Sequence, residues 1–288
     1  MKIAITALFA LLAQFPSGGG PGSEFLRQAI ALDLEGRGGE ARELIEMAIK
    51  LAPTPAAAAK ARRTMAMSWA FEGDCGKTGQ YEQMVIDYWI TREKDEPREA
   101  FYQEGEMADE AARVCIDAGD LKAALRWYAK GHELGLKEPG ISDDRRALWE
   151  FRWEHAQARI AARRRDGLEA ARHVAAAKAA LDSMKELRRQ QEPFLPYLTG
   201  YVAFYLGEYD RALKDLQQAD ARDPFIQCLL GQAYEELGDR DKAMDCYRRA
   251  AQTKAHNPPA AFARPFVRSK LGESGATNFL QTKSLPSA

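Results

Sequence analysis

A phosphate-binding loop is the first chemistry that the sequence suggests, because Gly76, Lys77 and Thr78 follow one another. A loop of the Walker type needs a glycine five residues before Gly76, where its backbone wraps a phosphate, and that position is Phe71. The loop should also follow a β-strand, whereas the preceding TMAMSWAFEG has the pattern of an apolar helix. The sequence therefore predicts no nucleotide site, and we interpret residues 73–79 as a lengthened, glycine-rich turn between two helices.

Residues for other catalytic or metal-binding chemistry are scattered along the chain. The histidines lack the paired spacing of metal ligands and stand at His132, His155, His173 and His256. The GESGA stretch at Gly272 misses the final glycine of a nucleophile elbow. Cys75 lies in a predicted loop near Lys77, where a thiol is reactive, but no neighbouring base supports catalysis. We predict no catalytic residue, no metal site and no cofactor, and interpret the protein as not being an enzyme.

The sequence contains four cysteines, at positions 75, 115, 228 and 246. In an exported chain, four cysteines allow three complete disulfide pairings. Their positions are spread over helical segments and include no CxxC pair, so a structural zinc site is not indicated. We expect free thiols.

The N-terminal residues differ in composition from the rest. After Lys2, residues 3–13 are apolar except for Thr6, which is the length of a signal-peptide core and too short to span a bilayer. Residues 17–23 read SGGGPGS, a composition typical of flexible linkers. We predict a signal peptide and Gly-rich linker at 1–23, and export to the periplasm or the exterior. The alternatives for this segment are a first apolar helix or a poorly chosen start, and the alternative location is the cytoplasm. No other segment is apolar enough to predict stable membrane insertion.

The net charge gives no general attraction to nucleic acid or anionic membranes, because 41 basic residues stand against 42 acidic ones. The most basic stretch runs from Arg145 to Arg189 and includes three consecutive arginines at 163–165. Acidic residues are interspersed in it, which favours a solvated helix face. We therefore expect no nucleic-acid partner.

An internal repeat of 31 residues organises the second half of the chain. It relates GYVAFYLGEYDRALKDLQQADARDP to GQAYEELGDRDKAMDCYRRAAQTKA, with small residues at matching positions: Gly200 and Gly231, Gly207 and Gly238, Ala212 and Ala243, and Ala219 and Ala250. A glycine can end a helix at positive φ with little strain, and alanines seven residues apart share one helix face. The repeat predicts an antiparallel helix pair joined by a tight turn.

The same spacing recurs at residues 29–53 and 111–135. This pattern resembles the tetratricopeptide repeat, in which a small residue, a Tyr or Phe, a turn glycine, two alanines and a closing proline recur. The resemblance spans most of residues 24–271 and implies an all-α, right-handed superhelical solenoid of helical hairpins. Residues 54–95 and 141–192 match poorly but have helical patterns. We predict six hairpins, a terminal helix from about Pro258 to Leu271 that covers the last hairpin, and a disordered tail at 272–288.

The resemblance also implies a function, which is to bind a peptide or protein partner in a concave groove without catalysis. The aromatic candidates lie on one helix stripe and the polar ones on the next repeat: Tyr197, Tyr201, Phe204, Tyr205, Gln232 and Glu235. Further candidates are Trp127, Tyr128, Trp149 and Trp153. The alternative for each aromatic residue is a place in the core. A second functional hypothesis is an accessory factor in envelope assembly or secretion that forms a homo-oligomer through its terminal hairpins.

Overall fold

The computed structural model describes residues 21–272, which form helices and no strand. Hairpins 1 to 3 pair α1 (Pro21–Glu35) with α2 (Gly38–Lys50), α3 (Pro55–Phe71) with α4 (Cys75–Ile90), and α5 (Pro97–Ala118) with α6 (Leu121–Leu136). Hairpin 4 pairs α7 (Asp143–Arg163) with α8 (Gly167–Ser183), and the short α9 (Arg188–Gln191) follows it. Hairpin 5 pairs α10 (Phe194–Tyr205) with α11 (Tyr209–Leu216), and hairpin 6 pairs α12 (Pro224–Glu236) with α13 (Arg240–Ala251). The last helix is α14 (Pro258–Lys270). The predicted all-α helical solenoid is confirmed.

Polar caps fix where several helices begin. Thr54, Ser142 and Asn257 each accept a hydrogen bond from the backbone N–H three residues further on. Pro55 and Pro258 follow two of these caps, at the first helical position. The backbone N–H at that position has no acceptor within the helix, so proline, which lacks this N–H, costs no hydrogen bond there. The start at Pro258 agrees with that predicted from the sequence for the terminal helix. No helix within residues 21–272 is both long and apolar enough to cross a membrane.

The repeated glycines have two separate structural roles. Gly207 and Gly238 end the first helices of hairpins 5 and 6 with φ of 82° and 84°, a left-handed conformation that disfavours other residues. Gly231 instead lies inside α12, where a Cβ atom would stand 2.4 Å from the ring of Tyr247 on α13. Because no side chain separates them, the two helices of the hairpin approach closely.

The repeated alanines are buried between the helices, with one exception. Ala212, Ala243 and Ala250 are at most 1% exposed. Ala219, however, is half-buried and lies beyond the end of α11, so it does not share a helix face with Ala212 as predicted. The helix ends early because the chain turns around Asp220, whose carboxylate accepts the backbone N–H two residues later.

The turn of hairpin 2 is short, contrary to the prediction of a lengthened turn over 73–79. Only residues 72–74 separate α3 from α4, and Gly73 has a φ of 71°. The carboxylate of Asp74 accepts the backbone N–H of Lys77 at 2.8 Å and so starts α4 at Cys75. The hydroxyl of Thr78 is buried and donates to the carbonyl of Ala66. These residues belong to a capped helix start.

The N-terminal boundary also differs from the prediction. Helix α1 begins at Pro21, so residues 21–23 of the predicted linker are helical. Proline suits the first helical position, and Glu24 adds a negative charge to the first turn. The rest of the predicted signal peptide and linker (1–20) and residues 273–288 of the predicted tail lie outside the described residues.

Two of the four cysteines form a disulfide, so the expectation of free thiols is wrong for them. Cys75 begins α4 and Cys115 lies on α5, the neighbouring helix of the next hairpin, and their Cα atoms are 4.7 Å apart. The packing of hairpin 2 on hairpin 3 brings them together across 40 residues of sequence. Cys75 is therefore not a reactive thiol here. Cys228 and Cys246 are buried and form no disulfide within residues 21–272.

The terminal helix closes the solenoid. As predicted, α14 covers the last hairpin, packing on α12 and α13 with Val267 fully buried. It also packs on α3 and α5, and the guanidinium of Arg264 donates to the carbonyl of Leu34 at 2.6 Å. Hairpins 1 to 3 are thus joined to hairpin 6, and α14 encloses the concave side of the array.

Candidate functional site

A cavity of 490 Å³ lies on the concave side, bounded mostly by the first helices of hairpins 3 to 6 and by α14. One part of its wall is aromatic, formed by Tyr102, Phe151, Phe194, Tyr197, Phe225 and Phe262. Another part is charged and comes from α5 and α7, with Asp109, Arg113, Arg152, His155 and Arg159. The cavity therefore combines rigid apolar surface with guanidinium and carboxyl groups.

Three arginines run along one face of α7. Arg145, Arg152 and Arg159 are seven residues apart, which is close to two helical turns. The guanidinium carbons of Arg145 and Arg152 lie 5.0 and 5.2 Å from the centre of the Tyr102 ring, and that of Arg159 lies 5.5 Å from the Tyr128 ring. Such contacts are favourable because a cation meets the negative face of the ring. This face of α7 is directed inward, so the interpretation of the basic stretch as a solvated helix face is wrong for these residues.

Glu106 balances two of the arginines that line the cavity. Its carboxylate lies 2.6 Å from a nitrogen of Arg113 and 2.7 Å from one of Arg152. Burial alone would raise the pKa of Glu106, but the guanidinium groups of Arg152 and Arg113 outweigh it and lower that pKa to about 2. Glu106 is therefore ionised at neutral pH, and each of the two arginines has a carboxylate partner.

Arg159 has no such partner. Its side chain is 7% exposed, its terminal nitrogen donates to the hydroxyl of Tyr128 at 2.5 Å, and its Nε forms no hydrogen bond. Within residues 21–272 it forms no ion pair. A neutral hydroxyl is weak compensation for a buried positive charge. The site thus contains a guanidinium that is positioned and buried but has no ion-pair partner within the described residues.

His155 lies on the same wall, one helical turn before Arg159. It is 6% exposed, and its Nε2 has no hydrogen-bond partner. Burial, aided by the charge of Arg159, lowers its pKa well below the usual value, so the imidazole is neutral at pH 7. A neutral imidazole nitrogen of this kind can donate to or accept from a ligand.

Asp109 is the titrating group of the cavity. Burial raises its pKa to about 7, against the opposing effects of Arg152 and Arg113. A Cβ atom at Gly131 would lie 2.5 Å from the Oδ1 of Asp109, so a glycine at this position of the third repeat leaves room for the carboxyl group. Near neutral pH, Asp109 is populated in both its charged and its neutral form.

The charges on the opposite wall are satisfied locally. Asp220 binds Arg222 at 2.9 Å, and that arginine is largely exposed. Asp223 caps α12, where it accepts the backbone N–H groups of Phe225 and Ile226. None of these contacts joins either carboxylate to a guanidinium group of α7.

Of the six predicted groove residues, Tyr197 is the one that lines the cavity, with its ring 5.6 Å from that of His155. Tyr201 is 2% exposed and is a core residue, contrary to the prediction. The reason is that α10 packs on α7, so the aromatic stripe faces the neighbouring hairpin. Tyr205 accepts a hydrogen bond from Arg163 in that contact, and Phe204 is half-buried in the cluster between hairpins 5 and 6.

The two predicted polar groove residues are bound within the last hairpin and to the terminal helix. Glu235 accepts hydrogen bonds from the hydroxyl of Tyr247 at 2.7 Å and from the Nζ of Lys270 at 2.6 Å. Gln232 donates to the carbonyl of Cys228. The terminal helix that covers the last hairpin therefore contacts the face on which Glu235 lies. The further aromatic candidates divide into two buried residues, Tyr128 and Trp149, and two half-buried ones, Trp127 and Trp153, and Tyr128 is the one of the four that lines the cavity.

Sequence analysis missed Arg159, His155 and Asp109, although the seven-residue spacing of the arginines on α7 is visible in the chain. Within residues 21–272, no group of three or more His, Cys, Asp or Glu side chains is arranged to hold a metal ion. Residues 226–257 match the family model described as tetratricopeptide repeat, which covers most of hairpin 6 and the segment that follows it. No curated protein is detectably similar to the chain.

Proposed function

We propose that the chain, a helical repeat protein with a tetratricopeptide repeat at residues 226–257, is a non-catalytic scaffold that binds a segment of a partner protein in its central cavity. Tetratricopeptide repeats are generally protein-interaction modules. The observation that carries the proposal is the cavity itself, a volume of 490 Å³ whose walls come from four hairpins and the terminal helix.

The size of the cavity limits what enters it. One turn of α-helix, about 10 Å wide and 5.4 Å long, has a volume of about 420 Å³. The cavity therefore suits a chain end or a short extended segment, of a size comparable to one helical turn. Its aromatic residues supply large apolar contact areas with few rotatable bonds, which is typical of sites that anchor a peptide.

Selection from a library of random peptides tests this function. The full-length protein would be the target, and the Phe194→Ala variant would identify peptides that occupy the cavity, because Phe194 lines it and is 48% exposed. Because Phe194 is exposed, we expect the substitution to leave the protein folded. Leu168→Ala is the matched control, since Leu168 is 84% exposed on α8 and lies outside the cavity.

We expect peptides that bind the wild type and the Leu168→Ala variant and bind Phe194→Ala at least about tenfold more weakly, which is the usual loss for an aromatic anchor. Failure to select any peptide, or selection of peptides that are indifferent to Phe194, contradicts a peptide-binding cavity.

The oligomer hypothesis requires terminal hairpins that are free to pair with other copies. Here Arg264 of α14 donates to the carbonyl of Leu34 on α1, and α14 packs on α3 and α5. These contacts favour a monomer in which the first and last described helices bind each other. We expect one mass, that of a monomer, across a range of concentrations in sedimentation or light scattering, and a mass that rises with concentration would favour the oligomer instead.

We also propose that the protein acts in an oxidising compartment outside the cytoplasm. The disulfide between Cys75 and Cys115 supports this, because such bonds persist mainly in exported proteins. Alkylation of the unreduced, denatured protein purified from its native cell should modify two of the four cysteines. Modification of all four contradicts the proposal.

A second candidate function is acid–base catalysis in the same cavity, which is favoured by the pKa of about 7 at Asp109. Mass spectrometry of a selected peptide after long incubation with the protein distinguishes the two. A scaffold returns the peptide unchanged. A product that forms with the wild type but not with Asp109→Asn would identify an enzyme.

A further inference from the structure

We propose that the segment bound in the cavity carries a carboxylate group, held by Arg159 and His155, next to an apolar side chain that packs on the aromatic wall. The inference rests on the proposed function because it concerns the same cavity. It names the chemistry of the ligand, an acidic group with an apolar neighbour, which the repeat architecture leaves open.

The first support is the state of the Arg159 side chain. Its guanidinium is more than nine-tenths buried, lies 5.5 and 5.8 Å from the ring centres of Tyr128 and Tyr201, and donates to the hydroxyl of Tyr128, so it is fixed in position. Its Nε is unpaired and no carboxylate forms an ion pair with it within the described part of the chain. Removing a charge from water without a counter-charge is costly, and an anionic ligand would offset that cost.

The second support is the unpaired Nε2 of His155, which is also more than nine-tenths buried. This nitrogen lies four residues before Arg159 on the same helix, so both side chains project from one face of α7 into the cavity. The imidazole N–H of His155 and the planar guanidinium of Arg159 lie side by side, so both can donate hydrogen bonds to one ligand carboxylate. The Nε2 of His155 and the Nε of Arg159 form no hydrogen bond within the described residues.

The third support is the charge balance of the wall. Arg113, Arg152 and Arg159 provide three positive charges, and Glu106 with ionised Asp109 provides two negative ones. One positive charge is left over, and it matches a single carboxylate better than a doubly charged phosphate.

The surrounding ionisable groups have hydrogen-bond or ion-pair partners of their own. Behind the wall, Arg63 is paired with Glu110 at 2.6 Å. Across the cavity, Asp220 is paired with Arg222, and Asp223 is bound to the N-terminal amides of α12. The excess charge therefore belongs to the face on which Arg159 lies.

The apolar part of the ligand follows from what stands opposite these donors. Tyr197 is in ring contact with His155 at 5.6 Å, and Phe194, Phe225 and Phe262 continue the wall. The rings of Phe225 and Phe262 contact each other edge to face at 5.3 Å. A carboxylate bound to Arg159 thus places the neighbouring part of its chain against aromatic rings, and that neighbour should be apolar.

The test has two arms, because the carboxylate can come from an acidic side chain or from a chain terminus. In the first arm, peptides selected by the full-length protein are compared with versions in which Asp or Glu is replaced by its amide, and with versions whose C-terminus is amidated. In the second arm, the small probe 3-phenylpropionate is compared with its uncharged amide, 3-phenylpropanamide, by calorimetry. Both comparisons use the wild-type protein, so they do not depend on the folding of a variant.

Variants then locate the anion. Arg159→Gln should reduce the affinity for the acidic peptide by about tenfold or more, as expected for loss of a charged hydrogen bond. Arg159→Lys, which keeps the charge but not the fork, should retain part of the affinity. Arg146→Gln is the control, because Arg146 is exposed on the same helix outside the cavity. Circular dichroism and melting curves establish that each variant is folded.

The outcomes separate the two proposals. Selected peptides that lose about tenfold or more on removal of the carboxylate, and again in Arg159→Gln, support both. Peptides that bind equally well as amides overturn the carboxylate inference and leave the scaffold function standing. If no peptide binds but 3-phenylpropionate does, in a manner that requires Arg159, the scaffold function is overturned and the site is one for free organic acids. Binding of neither peptide nor probe overturns both.

Discussion

The Nε2 atom of His256 lies 2.8 Å from the Oδ2 atom of Asp33, although 223 residues separate them in sequence. The other carboxylate oxygen of Asp33 accepts a hydrogen bond from the hydroxyl of Ser68 at 2.8 Å, and the imidazole stacks on the ring of Phe71. Both His256 and Asp33 have side chains that are almost completely buried. Hairpins 1 and 2 and the segment that precedes α14 therefore meet at one buried polar contact.

This contact should stabilise the protein markedly. Asp33→Ala leaves His256 and Ser68 without their buried acceptor, and removing one member of such a pair costs about 3 kcal/mol or more in the free energy of unfolding. Urea unfolding followed by circular dichroism measures the loss. Glu43→Ala is the control, because Glu43 is exposed on α2 and should change stability by less than about 0.5 kcal/mol. Equal effects of the two substitutions would mean that the contact contributes little.

The repeat glycine in α12 should be intolerant of a methyl group. Gly231→Ala places a Cβ atom 2.4 Å from the ring of Tyr247, and the two helices must move apart. Overpacking of this kind costs about 1–3 kcal/mol, more than alanine gains from its higher helix propensity. Gly39→Ala is the matched control, since a Cβ atom there meets no other atom within 4 Å and should leave the melting temperature unchanged or raised. A melting temperature for Gly231→Ala at or above that of wild type would show that the helices are not in close contact.

Ionisation of Glu82 should lower the free energy of unfolding as pH rises. It is fully buried on α4, and burial, together with the neighbouring carboxylate of Glu110, raises its pKa well above the usual value. The folded state therefore holds this proton more tightly than the unfolded state, so the stabilising effect is complete below about pH 4.5 and is lost as pH rises through the folded pKa. Each unit of difference between the two pKa values costs about 1.4 kcal/mol at high pH.

The measurement is the free energy of unfolding between pH 5 and pH 9. Glu82→Gln, which is neutral at every pH, should depend on pH less steeply than the wild type. Glu46→Gln, at an exposed position on α2, should follow the wild-type curve. Parallel curves for wild type and Glu82→Gln would show that Glu82 has an ordinary pKa.

The affinity for an acidic ligand should fall as pH rises through about 7. Asp109 titrates there because burial raises its pKa to about 7, and its ionised form adds a negative charge beside the site. The other ionisable groups that face it stay in one charge state over this range, and they are Glu106, Arg113, Tyr128, Arg152 and Arg159.

Calorimetric titration with 3-phenylpropionate from pH 6 to pH 8 measures this dependence. Asp109→Asn should bind with an affinity that is nearly constant over the range, because it removes the titrating group. A slope that persists in Asp109→Asn would assign the dependence to another residue.

The hairpins were predictable because their determinants are local. Gly207 and Gly238 mark turns within a few residues of the helices that they end, and Gly231 meets Tyr247 within a single hairpin. Each of these relationships depends only on helix geometry over about 30 residues, and the pattern behind it occurs in both copies of the 31-residue repeat. Ala219 is where this reasoning failed, because a turn around Asp220 shortens one helix and not its counterpart.

The cavity was not predictable because it depends on the number of hairpins and on the superhelical twist between successive hairpins. The arginines of α7 show a regular spacing, but their interspersed acidic neighbours favoured a solvated face. Tyr102 and Tyr128, which receive the guanidinium groups, lie on the preceding hairpin. In the same way, Cys75 and Cys115 are brought together only by packing between hairpins.

Closure by α14 changes how the array should lose structure. In an open solenoid each hairpin is held only by its neighbours, so the terminal units fray first and independently. Here the first hairpin gains a second neighbour through Asp33 and His256, and no unit remains as a free end within the described chain. Backbone amides of α2 and α13 should therefore exchange with solvent at similar, slow rates. Pro259 and Phe262 of α14 also line the cavity, so a bound ligand contacts the same helix that closes the solenoid. Its binding should therefore slow amide exchange in all the hairpins together.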